Sequence, residues 1–353
     1  MSQYIAFDVH CAFTEVTVIG SRGKLLTRRR VATTIPDLVA VLEEAAKPCW
    51  LTFEEGPMAG WLYRHLVGRV DKLVVCEPRR NHLIAKDSEK DDSIDSEKLA
   101  QLLRGGYLKP VHQKNSLEGA IFKQFVGGYH DSVRDRVRMS NLILAQLRRF
   151  GVFSSEKEMA DAGNRKALLE QLPDNRLLRE SLQMRWLTYD THAEEVQVMR
   201  TWLEREARRE PMIRRFVEVP GLGWIRAATF FVYVDTPWRF RGKQALWKYA
   251  GIGLERSHSG AGPTQLRVAQ YANRHLRGVL LGAAKTAIRT RNNPFYDRYQ
   301  HWKEEGIATR NATRNVARSL AATLWGMWKN DSPYRPQLVA AGGSTADTLT
   351  SRL

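Results

Sequence analysis

Cysteines and long apolar runs are scarce in this sequence, and their scarcity excludes several classes of protein. Three cysteines occur among the 353 residues, and the spacing of Cys11, Cys49 and Cys76 matches no metal-binding motif. Since three cysteines cannot all pair, we expect reduced thiols in the core of a cytosolic protein, and we exclude a disulfide-rich secreted domain. The sequence contains no run of roughly 18 apolar residues and no signal peptide. It therefore predicts a soluble intracellular protein.

Acidic residues are also few relative to basic ones. The chain has 55 Lys and Arg residues against 38 Asp and Glu residues, which gives a formal net charge of +17. This excess predicts a polyanionic partner, with nucleic acid as the first candidate. An anionic membrane surface is the weaker alternative, because the arginines alternate with tryptophans and aliphatic residues and form no basic tail. The length allows two or three domains.

The apolar pattern of residues 1–110 predicts an α/β domain. Short apolar runs ending in polar or turn residues are typical of strands, and amphipathic stretches between them are typical of helices. The predicted strands are 4–9, 15–20, 24–31, 50–54 and 72–78, and the predicted helices are 36–44, 60–67 and a stretch from 94 onward. This β-β-β-α-β-α-β-α order has the shape of a ribonuclease-H-like fold with an antiparallel start.

Four carboxylates fall at strand ends and at a helix start in this domain. Asp8 and Glu54 each end an apolar strand, and Asp92 and Asp95 lie three apart at the beginning of the last helix. Carboxyl ends of neighbouring strands meet in one crevice, where clustered carboxylates need cations to remain ionised. Mg²⁺ takes such oxygen ligands together with substrate phosphates. The alternative for each residue is a turn, a helix cap or an acidic first turn that favours the helix dipole.

Neighbouring acidic residues compete with two of these assignments. Glu55 follows Glu54, and only one of the two can face the crevice because side chains alternate along a strand. We favour Glu54 because it directly follows the apolar run. Asp87, Glu89 and Asp91 are interpreted as a solvated charge run before the helix.

Residues 111–215 predict a helical middle region. Two long amphipathic helices, 116–150 and 177–209, flank a short insertion and favour an antiparallel hairpin or a coiled-coil dimerisation arm. Packing within the chain is the default, and contact between chains is the alternative. The apolar stripe predicted for the first helix contains Val133, Val137, Leu142, Ile143, Leu147 and Phe150.

Residues 216–340 predict a mainly helical C-terminal domain, followed by a tail at 341–353 that we expect to be disordered. The turn that contains Gly221 and Gly223 precedes a helix whose first amides could hold a phosphate, although a purely structural turn is equally expected. Residues 252–263 predict a glycine-rich loop with Ser259. A serine nucleophile needs activation by a base or a metal, and an ordinary loop serine is the alternative.

Taken together, these motifs resemble the DEDD insertion-sequence transposases that carry a RuvC-like N-terminal domain and a C-terminal serine domain. Members of that family are described as recombinases guided by a bridge RNA. The matching motifs are Phe7-Asp8, Phe53-Glu54, Lys90-x-Asp92-x-x-Asp95, Pro220-Gly221-Leu222-Gly223, Tyr249-Ala250-Gly251, Ser259-Gly260 and Asn273-Arg274-x-Leu276-Arg277. The chain departs from the family pattern at Glu54-Glu55-Gly56-Pro57, at Ser96 where alanine is usual, and at Ser257, a second candidate nucleophile.

The resemblance implies a site and a mechanism. Asp8, Glu54, Asp92 and Asp95 would hold Mg²⁺ at the scissile phosphate, and Ser259 would form a covalent phosphoserine link to DNA. Independently of the resemblance, Arg274 and Arg277 are candidates for a phosphate clamp because they follow the serine loop closely in sequence. Asn273 at the same helix start, and Gly221 and Gly223 in the earlier turn, complete the predicted nucleic-acid-binding residues.

The resemblance also implies partners and a location. They are double-stranded donor and target DNA, a guide RNA that selects the target by base pairing, and further copies of the chain in a homodimer or homotetramer. In such an assembly, protomers share the acidic site and the serine. A prokaryotic cytoplasm with action at the nucleoid is implied, and no membrane partner.

Two other functions remain open from the sequence. The first is a Mg²⁺-dependent, RuvC-like junction-resolving endonuclease that activates water at the four carboxylates. The second is a nucleic-acid-binding protein without a working catalytic site.

Overall fold

The computed structural model describes residues 2–78, 92–114, 116–257, 265–268 and 272–341. The chain divides into two units, Met1–Ile121 and Phe122–Leu353. Within the described residues, no helix combines the length and the apolar character needed to cross a membrane. The helix content lies mostly in the second unit, as the α/β plus α pattern of the sequence predicts.

The first unit has the predicted order of strands and helices. Its α1 begins where the Thr34 side chain accepts a hydrogen bond from the Asp37 amide, with Pro36 in the first turn. The elements are β1 (Gln3–Val9), β2 (Phe13–Gly20), β3 (Leu25–Ala32), α1 (Ile35–Glu43), β4 (Cys49–Glu54), α2 (Ala59–Leu66), β5 (Lys72–Cys76) and α3 (Asp92–Gly105).

The five strands form one mixed sheet in the order β3-β2-β1-β4-β5. The pairs β1–β2 and β2–β3 are antiparallel, which confirms the predicted antiparallel start. The pairs β1–β4 and β4–β5 are parallel, and Phe7 is in register with Phe53. The carboxyl ends of β1 and β4 therefore lie at the same edge of the sheet.

Opposite faces of this sheet contact different helices. Phe7 and Phe53 pack with apolar residues of α1 and α2 on one face. On the other face, Ala6 and Ile19 pack against Leu99 of α3. The Ser96 hydroxyl lies 2.7 Å from the Thr17 hydroxyl, and both residues are fully buried. This hydrogen bond offsets the cost of burying the serine hydroxyl.

Cysteine exposure differs in part from the expectation. Cys49 and Cys76 are buried and Cys11 is exposed, and none of the three forms a disulfide. The prediction of a core position is therefore wrong for Cys11, which follows the end of β1 in the turn to β2.

The helical arm at the start of the second unit contains the two long predicted helices. These are α4 (Leu117–Arg148) and α7 (Arg176–Ala207), joined through α5 (Glu156–Ala160) and α6 (Arg165–Glu170). Side-chain hydrogen bonds Ser132–Glu195 and Gln146–Ser181 show that α4 and α7 run antiparallel. The buried apolar core of the arm contains Ile143, Leu144, Leu147, Val152, Met159, Leu168, Leu172, Leu182, Trp186 and Tyr189.

The apolar stripe predicted for α4 is only partly buried. Ile143 and Leu147 are fully buried, whereas Val137, Leu142 and Phe150 are 40%, 39% and 45% exposed. The predicted stripe is therefore covered around residues 143–147 of α4 and left open to solvent at these three positions.

The rest of the second unit is helical around one large core. Its helices are α8 (Pro211–Val217), α9 (Trp224–Val234), α10 (Lys243–Tyr249), α11 (Arg274–Ala287), α12 (Pro294–Glu304), α13 (Thr309–Lys329) and α14 (Pro336–Ala341). Ala341, placed in the expected tail, is the last residue of α14, and the remaining tail, 342–353, lies outside the described residues.

A two-stranded sheet replaces part of the predicted glycine-rich loop. β6 (Leu254–Ser257) pairs antiparallel with β7 (Gln265–Val268), so the loop prediction is wrong for residues 254–257. The reason is nonlocal: the hydrogen-bond partners of β6 come from a segment further along the chain, which local composition does not reveal.

Candidate active site and nucleic-acid-binding residues

Asp8 and Glu54 lie at the same edge of the sheet. Each follows a phenylalanine of the Phe7–Phe53 pair in parallel strands. Since those phenylalanines face α1 and α2, strand alternation directs Asp8 and Glu54 to the face that α3 covers. Glu55, one residue on, falls on the opposite alternation, which supports Glu54 as the ligand candidate. Glu54 is exposed, and the Asp8 side chain is 31% exposed.

The direction of α3 brings its first turn to this edge. The Gln101 side-chain amide donates to the Gly23 carbonyl at 2.8 Å, and Gly23 lies in the β2–β3 turn at the amino end of β1. Ser96 contacts Thr17, which pairs with Ala6. Asp92 is about 6 Å before Ser96 along the helix axis, and Asp8 is about 6–7 Å beyond Ala6 along the strand.

The backbone therefore gathers the three segments that carry the predicted quartet. The first turn of α3, with Asp92 and Asp95, lies level with the carboxyl ends of β1 and β4. For these two aspartates, the structure describes the backbone and not the side chains. Asp87, Glu89 and Asp91 lie outside the described residues.

Asp8 has a histidine neighbour that the sequence analysis missed. His10 Nε2 lies 3.2 Å from Asp8 Oδ2, and the His10 ring stacks on Phe13 at 4.6 Å between centroids. The available signal was the spacing of two residues, which places both side chains on the same side of an extended chain at the end of β1. His10 orients the carboxylate through this contact.

A second missed residue, Glu15, lies directly opposite Asp8 in the β1–β2 pair. Glu15 is 7% exposed, and the Arg30 Nε of β3 donates to its Oε1 at 2.6 Å. The Arg30 guanidinium also lies 3.9 Å above the Phe13 ring centroid. Burying a carboxylate beside Asp8 is costly unless a cation neutralises it, and Arg30 does so. Detecting Glu15 requires the strand register, because its own sequence position indicates only a strand start.

The described donors suit a hard divalent cation but do not complete a site. Asp8 and Glu54 supply carboxylate oxygens of the kind that Mg²⁺ prefers. Among side chains that the structure describes, no group of three or more His, Cys, Asp or Glu residues could hold a metal ion. The side chains of the other two predicted ligands, Asp92 and Asp95, are not in that set.

The predicted nucleophile falls in a segment between two described strands. Ser259 belongs to residues 258–264, which lie outside the described residues. The competitor, Ser257, is the last residue of β6 and pairs with Gln265 at the start of β7.

Asn273 is the N-cap of α11, and it connects the Asn273-Arg274-x-Leu276-Arg277 motif with the Tyr249-Ala250-Gly251 motif. Its Oδ1 accepts from the Leu276 amide at 3.0 Å, as a helix N-cap does. The Asn273 amide donates to the Tyr249 carbonyl at 2.8 Å. Gly251 has a φ of +68°, and a Cβ there would lie 2.6 Å from Ala272 Cβ, so a side chain would clash. The two motifs therefore meet at the start of α11.

Arg274 and Arg277, the proposed clamp, are exposed on the first turn of α11. Burial, followed by the nearby charges of Arg310 and Arg277, lowers the pKa of Arg314 from its usual value. In the described part of the chain, no carboxylate forms an ion pair with any of these four arginines. Such a cluster of like charges suits an anionic ligand.

The two glycines of the α8–α9 turn have different surroundings. Gly221 has a φ of +86°, and a Cβ there would lie 2.3 Å from the Ala283 carbonyl oxygen of α11. Its conformation and close packing therefore require glycine. Gly223 is the N-cap of α9 and has open space around it, so its position leaves room for a ligand at the helix start.

Two models of known protein families match separate parts of this chain. Residues 5–151 match a DEDD transposase model of the IS110 type, described as "Transposase". Residues 213–300 match a model described as "Transposase IS116/IS110/IS902 family". A curated Sinorhizobium fredii (strain NBRC 101917 / NGR234) protein, "Putative transposase y4pF/y4sB", is 23% identical over 254 residues. That alignment covers 70% of this chain and 64% of the relative, which is less than two thirds of the relative's length.

Proposed function

Because the chain belongs to the IS110 family of transposases, we propose that it is a DNA recombinase that moves an insertion sequence. It cuts and exchanges strands of double-stranded donor and target DNA. The observation that carries this proposal is the edge where β1, β4 and the first turn of α3 meet, with Asp8 and Glu54 on one face. The strand order β3-β2-β1-β4-β5 supports a RuvC-like assignment for this unit.

In this proposal the divalent cation binds at the acidic edge, the sheet edge where the carboxyl ends of β1 and β4 meet the first turn of α3. Asp8, Glu54, Asp92 and Asp95 are the ligands for Mg²⁺. When bound, Mg²⁺ lowers the pKa of an attacking hydroxyl and neutralises charge that develops on the phosphate. Arg30 keeps Glu15 paired, so the Glu15 carboxylate is not available as a competing ligand.

Ser259 is the proposed nucleophile, with Ser257 as the alternative. The Ser259 Oγ attacks phosphorus, the bond from phosphorus to a DNA hydroxyl oxygen breaks, and that oxygen takes a proton. In the second step the hydroxyl of the exchanged strand attacks the phosphoserine, and the serine oxygen leaves and regains a proton. Both steps exchange one phosphate ester for another, so no ATP is needed. Arg274, Arg277 and Asn273, with Gly221 and Gly223, hold the nucleic-acid backbone.

A guide RNA chooses the target by base pairing in this proposal, while the protein holds nucleic-acid backbones. The net charge of +17 supports binding of that kind. Exposed apolar residues on the arm helices support assembly into a homodimer or homotetramer. The three cysteines form no disulfide, which is compatible with the proposed cytoplasmic location.

The test is a search for a covalent adduct between protein and DNA. Purified full-length protein is incubated with Mg²⁺, element-end DNA and co-expressed RNA, and denaturing gels are scored for an adduct. We expect the adduct with wild type and with the control Ser257→Ala, and its loss in Ser259→Ala and Asp92→Ala.

Other outcomes assign the chemistry differently. Free cleaved DNA without an adduct, together with cutting by Ser259→Ala, supports the junction-resolving nuclease and refutes the serine mechanism. An adduct lost in Ser257→Ala and kept in Ser259→Ala moves the nucleophile to Ser257. Identical products from wild type and Asp8→Asn support a nucleic-acid-binding protein without catalysis at the acidic edge.

A further inference from the structure

A cavity of about 460 Å³ lies in the second unit between α10, α12, α13 and α14. Its walls combine apolar side chains, among them Trp247, Met327 and Val339, with cationic ones. The cationic side chains are Lys243, Lys248, Arg298, Arg318 and Arg335. No carboxylate occurs among the lining residues that the structure describes. A cavity of this composition suits a ligand that has both an aromatic body and negative charge.

The polar groups at the cavity are held in place. The Arg318 Nε donates to the Ile252 carbonyl at 2.7 Å, and its Nη1 donates to Asn315 Oδ1 at 2.9 Å. The Trp247 indole N–H donates to the Arg318 carbonyl at 3.0 Å, which fixes the ring beside that arginine. The Asn315 side chain is 9% exposed, and its amide nitrogen has no hydrogen-bond partner among the described residues. The site is therefore organised before a ligand arrives.

A row of cations connects this cavity to the start of α11. Arg310, Arg314 and Arg318 are four residues apart on α13 and share one face of the helix. Arg314 is close enough to Arg277 and Arg310 for their charges to lower its pKa, after burial as the larger cause. The like charges of Arg310, Arg314 and Arg277 favour an extended polyanion, whereas one small anion reaches only part of the row.

We propose that this cavity binds one unpaired nucleotide of a single-stranded nucleic-acid segment whose backbone follows the row. The base enters beside Trp247, and the flanking phosphates contact Lys243 and the α13 arginines. Aromatic stacking with neighbouring cations is the usual means of holding single strands. A volume of this size takes one drug-sized group, roughly 300–1,000 Å³, and a base inside a duplex could not reach it. The inference rests on the proposed function in that it specifies one of its nucleic-acid contacts.

The test measures binding by fluorescence anisotropy with full-length protein in EDTA, so that no cleavage interferes. The probes are a labelled short single-stranded oligonucleotide and the duplex of the same sequence. Lys243→Gln removes a lining charge, and Ala322→Phe fills the cavity from α13. The control, Lys329→Gln, removes one charge on the same helix from a residue that contacts Trp238 and Trp325 outside the cavity.

We expect each cavity variant to bind the single strand about tenfold more weakly, with a change of less than about twofold for the duplex and for the control. A single abasic position in the oligonucleotide should weaken binding to wild type and leave binding to Ala322→Phe unchanged. Equal losses in Lys243→Gln and Lys329→Gln, equal losses for duplex and single strand, or an undiminished abasic effect in Ala322→Phe would each overturn the proposal. Thermal unfolding identifies any cavity variant that fails to fold. The intact and abasic oligonucleotides are then compared with the remaining cavity variant, and that comparison decides the outcome.

This result is independent of the adduct test. Protein that shows the single-strand pattern but forms no adduct refutes the serine mechanism and leaves the nucleotide site standing. Protein that forms the adduct without this pattern refutes the nucleotide site alone.

Discussion

The buried carboxylate of Glu15 lies directly opposite Asp8 in the β1–β2 pair. The Arg30 guanidinium neutralises the charge of Glu15. This arrangement lets two acidic residues share one face of the sheet, since one of them is already neutralised within the protein. The same face stays accessible at Asp8, whose side chain is 31% exposed, as the proposed cation site requires.

Arg30→Gln should destabilise the sheet of the first unit by about 1–3 kcal/mol, because it leaves Glu15 buried without its cation. Glu15→Gln in the same chain should restore most of that loss by removing the uncompensated charge. Hydrogen exchange of the β1 and β2 amides measures the effect in this unit alone.

Arg29→Gln is the matched control for that prediction. Arg29 is the neighbouring residue of β3 and pairs with Glu44, whose side chain is 62% exposed. Its loss should change protection by less than about 1 kcal/mol. If the double variant Arg30→Gln with Glu15→Gln is no more stable than Arg30→Gln, the charge argument is wrong.

Individual site residues were predictable where a local pattern marks them. An acid that directly follows an apolar run identified Asp8 and Glu54 as strand-end residues, and the structure places both at one edge. His10 and Glu15 escaped notice because their relation to Asp8 depends on alternation and on pairing with another strand. The roles of all of these residues in catalysis stay predictions.

At the scale of elements, helices with a strong 3.6-residue period were predicted to within a few residues. The boundaries of α4 and α7 show this. The β6–β7 pair was missed because its stabilising partner lies beyond a glycine-rich stretch. Only part of the apolar stripe of α4 is buried, because periodicity shows which residues share a face and not how much of that face a neighbour covers.

Three helices of the second unit meet at a pair of histidines. His130 of α4 lies 5.0 Å from His275 of α11 between ring centroids, and its Nε2 is 2.8 Å from the Thr229 hydroxyl of α9. Burial, followed by the charge of His275, lowers the pKa of His130 to about 4 from 6.5. Asp131 and Arg134 also act on His130, in opposite directions.

Stability of the second unit should therefore fall as pH decreases from about 6.5 towards 4. The unfolded chain takes up the proton at the higher pH, whereas folded His130 resists it, so acid favours unfolding in that window. His130→Gln should flatten the dependence of the melting temperature on pH between about 4 and 6.5, the interval between the two pKa values. A slope that is the same in His130→Gln and wild type would contradict this prediction.

At the scale of the whole molecule, an apolar surface on the arm bears on assembly. Leu142 of α4 is 39% exposed, and Met184 and Leu187 of α7 are 63% and 60% exposed. The antiparallel pairing of Gln146 with Ser181 places these residues at a similar level along the arm. Contact with a second copy of the chain would remove this surface from water, and burial of apolar area is the usual driving force for such contact.

The variant Leu142→Glu with Leu187→Glu should accordingly lower the molar mass in solution from that of a dimer or tetramer towards that of the single chain. Two carboxylates in a buried apolar contact would lose hydration without gaining partners, so association should weaken by at least about tenfold. Light scattering after size exclusion at several concentrations measures the mass. Leu26→Glu, a matched change at a 49%-exposed leucine of β3, should leave the mass unchanged.

A wild-type chain that is monomeric at all concentrations, or a double variant with the wild-type mass, would show that the arm face does not join copies of the chain. Protection of the arm amides from hydrogen exchange, greater in the wild type than in the double variant, would locate the contact on α4 and α7.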